Sequence, residues 1–404
     1  MSDKLRVRAY NVRFGDAILV SVPDRGPEGD LAMRHILVDV GNVLAGEGSQ
    51  DDVFRPVLEN ILEQLAGQPL DLYVMTHEHM DHIQGLPHAE RHLYPGAEDE
   101  LRSALKTRYA WLTASSENDY YRTHPQAEVK RRGLMEAYRE IDAFLRASPD
   151  PMPQAVEVIM LNNNPNKTAD CVAYLRGLAE HTCYVHRGFD PRGNHPFQEA
   201  SFEIWAPEED TSAYYGTFRP MSLGVTRPQG RGRKPRLTAS RPPAGVDAGA
   251  FYNLIEQRRS FVDNLLAIDR AANNTSIVFC LTWRGWSLLF PGDAETRSWK
   301  TMHRAGVFRP VHFLKVSHHG SQNGTPDPEY LEGVLPLDRA DDRPRYALVT
   351  TWEGTYPNVP DDATLKLLHD PGHADAALKQ RCDRLYQIHL EAQPGAYVDI
   401  EFEG

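Results

Sequence analysis

Residues 76–85 read THEHMDHIQG and set His77, His79, Asp81 and His82 within one short loop. On a helix, His77 and His79 would point to nearly opposite faces, whereas in an extended segment they point the same way. Two imidazoles on one side can hold a single ion. Asp81 and His82 follow where the chain can turn, and they offer a carboxylate and a third imidazole to a neighbouring ion. A mixed histidine–carboxylate set suits Zn²⁺ best, with Mn²⁺ or Fe as further choices. With 17 histidines in 404 residues, chance does not readily produce that spacing.

The elements that must position this loop can be read on both sides of it. LDLYVMT is a buried strand that runs straight into the histidines. Before it come the short strand-like runs LRVRAYNV, DAILVSV and HILVDVG, then a helix carrying Phe54, Val57, Leu58, Ile61, Leu62 and Leu65, with Gly67 as its stop. Leu101, Leu105, Tyr109 and Leu112 mark a further helix, and Leu134, Tyr138, Ile141 and Leu145 another. VEVIML reads as a strand, followed by a helix over 168–179. A helix with Phe251, Leu254, Ile255, Arg258, Val262 and Leu266 comes next. TSIVFCLTW and WSLLFPGDAE then form two strands joined by Arg284-Gly285, and VHFLKVSHHGS and RYALVTTW supply two more.

Composition places the chain among ordinary water-soluble proteins, with 41% hydrophobic and 25% charged residues. The net charge of −12 argues against a surface that coats nucleic acid at large. Cys171, Cys183, Cys280 and Cys382 are scattered and read as free thiols. No signal peptide and no membrane-spanning apolar run is recognisable, so a cytoplasmic location is expected.

THEHMDHIQG resembles the signature loop of the metallo-β-lactamase-fold hydrolases. ILVDVGN resembles the superfamily's early strand ending in an aspartate, WSLLFPGDAE the later strand ending in Gly-Asp, and LKVSHHGSQNG the final metal-histidine segment, in the family's order. Together with NVRFGDAILV and NNTSIVFCL, they look most like the soluble hydrolase domain of bacterial DNA-uptake (competence) channel proteins, over residues 5–95 and 180–365. The resemblance implies an αββα sandwich made as one domain over 1–404, with a helical insertion at 98–147. A second insertion, a loop plus helix at 208–268, carries a basic segment at 227–241. It also implies two divalent metal ions, with His77 and His79 on the first, Asp81, His82 and His318 on the second, and Asp293 bridging. Asp39 would orient a ligand histidine, and Asp81 and His319 would take part in catalysis.

Several positions depart from that pattern. Where most members supply a further histidine to the first ion, this chain reads NNTS. Asn273 or Asn274 could offer an amide oxygen there, Asn274 being the expected ligand, or His186 or His195 could reach in from a loop. The first ion would then be weakly held. TYPNVPDD stands where the competence branch has Gly-His-Pro. Asn11 and Phe14 replace its Asp and Gln, while Asp16 is retained.

The basic segment carries Arg231, Arg233, Lys234 and Arg236 with no acid among them, and it could track a phosphate backbone. The expected function is a metal-dependent phosphodiesterase, most simply a nuclease. Hydrolysis of a small ester, lactone, amide or nucleotide is the second reading, and a metal-binding scaffold or sensor without turnover is the third. Nucleic acid is the expected macromolecular substrate; no membrane partner is expected.

Overall fold

The computed structural model describes residues 3–26, 29–43, 51–147, 153–216, 218, 248–356, 358–370 and 380–404. Its first sheet contains β1 (Lys4–Tyr10), β2 (Ala17–Arg25), β3 (Leu31–Val40), β4 (Leu70–Val74), β5 (Thr107–Thr113) and β6 (Ala179–Val185). The second sheet contains β7 (Ala200–Ala206), β8 (Val278–Trp283), β9 (Trp286–Phe290), β10 (Phe313–Lys315), β11 (Tyr346–Val349) and β12 (Arg384–Gln387). The last strand, β13 (Tyr397–Glu403), returns to the first sheet and pairs with β1. The strand orders are β13-β1-β2-β3-β4-β5-β6 and β12-β11-β10-β9-β8-β7.

Alternation along the strands divides the apolar side chains between two faces. Leu5, Val7, Ile18, Val20, Ile36 and Val38 of the first sheet meet Phe279, Leu281, Leu288, Phe290 and Phe313 of the second in one buried layer. Trp111 is fully buried in that layer, and its indole donates to the Asn194 carbonyl at 2.9 Å. The other residues of β2 and β3, such as Leu19 and Leu37, pack outward against helices, including α1 (Asp51–Leu65). The short α2 (Met80–Ile83) and α3 (Gly85–His92) follow the histidine loop on the same side, and α4 (Glu98–Ala104) comes next. Farther along the chain come α5 (Tyr120–Thr123), α6 (Pro125–Ala147), α7 (Gln154–Asn162), α8 (Pro165–Leu178), α9 (Ala248–Asn273) and α10 (Thr296–Arg304). Trp299 and Met302 of α10 cover Leu289 and Leu314 on the outer face of the second sheet. Helix, sheet, sheet, helix is thus the layer order, the αββα sandwich that the sequence implies.

Two local readings are corrected. Tyr109 and Leu112 lie on β5, paired in parallel with β4 and β6, so the helix begun at Leu101 stops at Ala104. VEVIML is helical and forms most of α7, with Val158, Ile159 and Met160 buried. A six-residue apolar run has no period to tell a strand from a buried helix, and here α7 packs with α6 and α9 through Tyr138, Ile141, Ile159, Leu265 and Ile268.

β3 to β6 run parallel in one sheet, and β9 to β12 run parallel in the other. Asp39 stands at the carboxyl end of β3, and the ends of β4, β9, β10 and β11 lead into His77, Asp293, His319 and Thr350, respectively. Side chains from both sheets therefore meet at one edge, the end of a parallel sheet where sites collect. Two glycines permit the approach. A Cβ on Gly41 would sit 2.5 Å from both the Asp81 carbonyl carbon and the His82 nitrogen. Gly292 has φ +55, and a Cβ there would lie 2.9 Å from that of Thr76. Among the described residues, no helix is long and apolar enough to cross a membrane.

Candidate metal centre

Hydrogen bonds fix the tautomers of the central histidines. The Thr76 hydroxyl donates to Asp39 Oδ2 at 2.6 Å, so its contact of 3.0 Å with His77 Nδ1 must be one in which the ring donates. His77 Nε2 then carries the lone pair, and it is buried with no partner. His82 Nδ1 donates to Asp39 Oδ2 at 2.8 Å, which leaves its Nε2 facing Asp293 Oδ2 at 3.2 Å and Asp81 Oδ1 at 3.8 Å. His319 Nδ1 donates to the Thr350 carbonyl at 2.7 Å, and its Nε2 faces Asp293 Oδ2 at 3.2 Å and Asp81 Oδ2 at 3.4 Å.

His79 is held in the other sense. Asn163 donates its amide hydrogens to the Ile159 carbonyl and to Asp269 Oδ1, so its oxygen accepts from His79 Nε2 at 2.9 Å. Nδ1 is therefore the lone-pair nitrogen of His79. One donor atom from each of Asp81, His82, Asp293 and His319 lies within 4.8 Å of the others, and the same is true of His77, His79 and Asp81. Asp81 is common to both groups, and its Oδ1 is buried without a hydrogen-bond partner.

Lone pairs on His82 and His319 cannot face buried carboxylates unless a cation lies between them, either a proton or a metal ion. Without metal, protons fill that place. Burial opposes it, but Asp293, Asp81 and Asp39 hold the His82 imidazolium well above the usual histidine range. His319, likewise against burial, is pushed up to about 9, chiefly by Asp293. Burial, with His82 and His79 nearby, takes His77 well below that range. Burial would raise Asp81, but His82 and His319 bring it down to about 2. Burial pushes the Asp39 carboxyl up, although His82 and Thr76 work against that shift. The orphaned His77 Nε2 and Asp81 Oδ1, together with imidazoles turned lone pair first toward acids, fit a divalent metal site.

Lys315 was not singled out from the sequence. It is fully buried, 2.6 Å from Asp16 Oδ2 and 3.3 Å from Asp293 Oδ1, and these two acids raise its ammonium above the ordinary range despite burial. A lysine flanked by apolar residues in FLKV was the available signal. Asn162 and Asn163 were also missed. Asn162 accepts the Asp81 amide at 3.0 Å, and nothing in the composition of LNNNPN marks either one.

The adjacent His318 and His319 separate in space. Both have left-handed backbones, φ 48 and φ 55, which cost non-glycine residues about 1–2 kcal/mol each. His319 turns inward to Asp81 and Asp293. His318, the expected ligand of the second ion, lies instead beside Glu295 and Asn273, with Nδ1 2.9 Å from Ser321 Oγ. Asn274 is occupied as well, since its oxygen accepts from Ser298 N at 3.1 Å and its amide donates to the Arg270 carbonyl at 2.8 Å. His195 packs against Trp111 and Phe202, and His186 accepts from Gly188 N. Arg231, Arg233, Lys234 and Arg236 lie outside the described residues.

No family model and no curated protein matches the chain. Among solved structures it is similar to the long form RNase Z from yeast, at 10% identity and a TM-score of 0.37. That match covers 98% of this chain and 41% of the other, so the chain spans about two-fifths of that protein's length.

Proposed function

We propose that the chain is a metal-dependent hydrolase whose substrates are phosphodiesters, with nucleic acid the favoured polymer. The observation that carries this reading is the tautomer pattern. Asp39 and Thr350 hold His82 and His319 by Nδ1, directly, so that their Nε2 atoms turn toward Asp81 and Asp293, and Asp39 acts on His77 through Thr76, leaving its Nε2 unpartnered. His77, His79 and Asp81 would hold one ion, and Asp81, His82, Asp293 and His319 the other. Bound there, divalent cations acidify a water and neutralise charge that develops on the reacting phosphoryl group.

The chain's own groups supply the rest. Lys315 offsets Asp293 and anchors it to Asp16. Asp81 Oδ1 has no hydrogen-bond partner, which leaves it available to an ion. A cavity of about 560 Å³ is lined by Arg270, Arg297 and Lys300, outnumbering its two acids, Asp263 and Glu295, with Glu295 two residues beyond Asp293 in the chain. In a protein of net charge −12, these exposed cations favour a phosphate-bearing substrate over a neutral ester.

The test is cleavage by chelator-stripped protein titrated with Mn²⁺ or Zn²⁺. Substrates are labelled single- and double-stranded DNA and RNA, and bis-p-nitrophenyl phosphate. Metal-restored cleavage that is absent from a His82→Ala/Asp293→Asn protein supports the reading. Bound metal with no cleavage of any of these substrates removes it.

A further inference from the structure

We propose that a small cavity beside Glu78 receives a guanine base; that the base belongs to a strand held at the centre rests on the reading of nucleic acid as substrate. The cavity measures about 110 Å³ and is bounded by the histidine loop, α6 and α8, among other segments. Pockets for drug-sized ligands run to about 300–1,000 Å³, so this one has room for a single flat ring system.

Glu78 stands between His77 and His79. The two histidines gather with Asp81, whereas the Glu78 side chain lines the cavity. Glu78 is half-buried, and the hydrogen bond it accepts from Ser115 Oγ is long, at 3.5 Å. Arg131 of α6 is exposed at the rim. Its guanidinium lies over the Tyr121 ring, 4.3 Å from the centroid, and acts on Glu78 at a distance without a direct ion pair. Tyr121 and Tyr215 share one hydrogen between hydroxyls 2.8 Å apart, which leaves the second phenol hydrogen to donate elsewhere. Leu134, Met135, Pro165 and Ile268 add apolar wall.

These groups set the ligand. An anion would meet Glu78 and a cation would meet Arg131, so net charge of either sign is disfavoured. A neutral ring that donates at one edge and accepts at the next satisfies both residues, and aromatic and apolar side chains suit its faces. Guanine carries two donors side by side, N1–H and the 2-amino group, next to the acceptor O6. Two parallel donors match one carboxylate, while O6 and N7 are the acceptors that an arginine reads.

Asn163 ties the cavity to the centre. Its side chain lines the cavity and accepts from His79 Nε2 at 2.9 Å, so a base seated here lies one side chain away from an expected metal ligand.

The test uses nucleosides, which carry no phosphate and so report base binding without cleavage. Full-length chain in Mn²⁺ is titrated with guanosine, inosine, adenosine and cytidine, followed by calorimetry and by ligand-observed NMR. Guanosine is expected to bind about tenfold or more tightly than inosine, which lacks the 2-amino donor. In Glu78→Gln that gap is expected to close, a change that a merely structural glutamate would not produce. Arg131→Gln, at an exposed position, is expected to weaken guanosine about tenfold, and it stays informative if Glu78→Gln folds poorly. Absence of guanosine binding, guanosine no tighter than inosine and adenosine, or unchanged affinity in both variants would overturn the proposal. Cleavage of phosphodiesters without guanosine binding overturns the base pocket alone. Guanosine binding without cleavage upholds the pocket and overturns the hydrolase reading.

Discussion

Asp39 touches no atom that would bind an ion, yet it sets the tautomer of two histidines that would. It accepts from His82 directly and from Thr76 by both backbone and hydroxyl, and Thr76 in turn receives His77. In Asp39→Asn an amide N–H competes with one of these donors and releases at least one ring. Metal affinity, measured by competition with a chelator, should fall about 10–100-fold with little change in secondary structure. Lys315 offers a second test at this scale. Lys315→Met leaves Asp16 and Asp293 buried without their shared cation, which should cost the metal-free protein about 3–5 kcal/mol. Saturating Mn²⁺ should recover part of that loss, because an ion can neutralise Asp293. Urea unfolding with and without metal measures both quantities, and an equal loss in the two conditions would remove Asp293 from the metal centre.

Elements were legible where period and length agreed. The strand that ends in THEHMDH and the 15 residues of α1 announce themselves, as does the hairpin turn at Arg284-Gly285, where both residues have positive φ. VEVIML and the 101–112 stretch were too short or too mixed, and packing decided them. The candidate site divides the same way. Histidines and aspartates in dense motifs were visible in the sequence, but which of His318 and His319 points inward depends on two consecutive left-handed residues that no spacing rule encodes. Partners such as Asn163 and Asp269 come from helices far away in the chain.

The close pairing of loop to strand predicts that Gly41→Ala, which pushes a methyl into the backbone of Asp81 and His82, should abolish binding of at least one ion by dialysis. Strand β3 carries a pH test as well. His35 is buried and bonded to Ser21, and burial, with Arg6 nearby, takes its pKa down to about 4. The unfolded chain then binds the proton first. Stability is therefore lost as pH falls from about 6.5 toward about 4, and this contribution is exhausted below that. In His35→Gln, the drop in unfolding free energy between pH 7 and pH 5 should be about 2 kcal/mol smaller than in the wild type.

At the scale of the whole molecule, charge would govern how a polyanionic substrate, as proposed, approaches the centre. A net charge of −12 would repel nucleic acid on approach, whereas Arg270, Arg297 and Lys300 gather in one cavity. Long-range repulsion and local attraction respond differently to salt. Repulsion is screened beyond about 8–10 Å at moderate ionic strength, while phosphates held in the cavity would release counterions and bind more weakly as salt rises. A short oligonucleotide should therefore show weaker binding at higher salt, with a slope set by the few phosphates the cavity holds. Arg297→Gln/Lys300→Gln should lower that slope by about 1–2 and raise KM for the oligonucleotide. The same variant should cleave bis-p-nitrophenyl phosphate with kcat/KM within about twofold of the wild type, since one phosphate makes no use of an extended path. If both substrates suffer equally, these side chains act on the centre itself and the cavity is not a path for a strand.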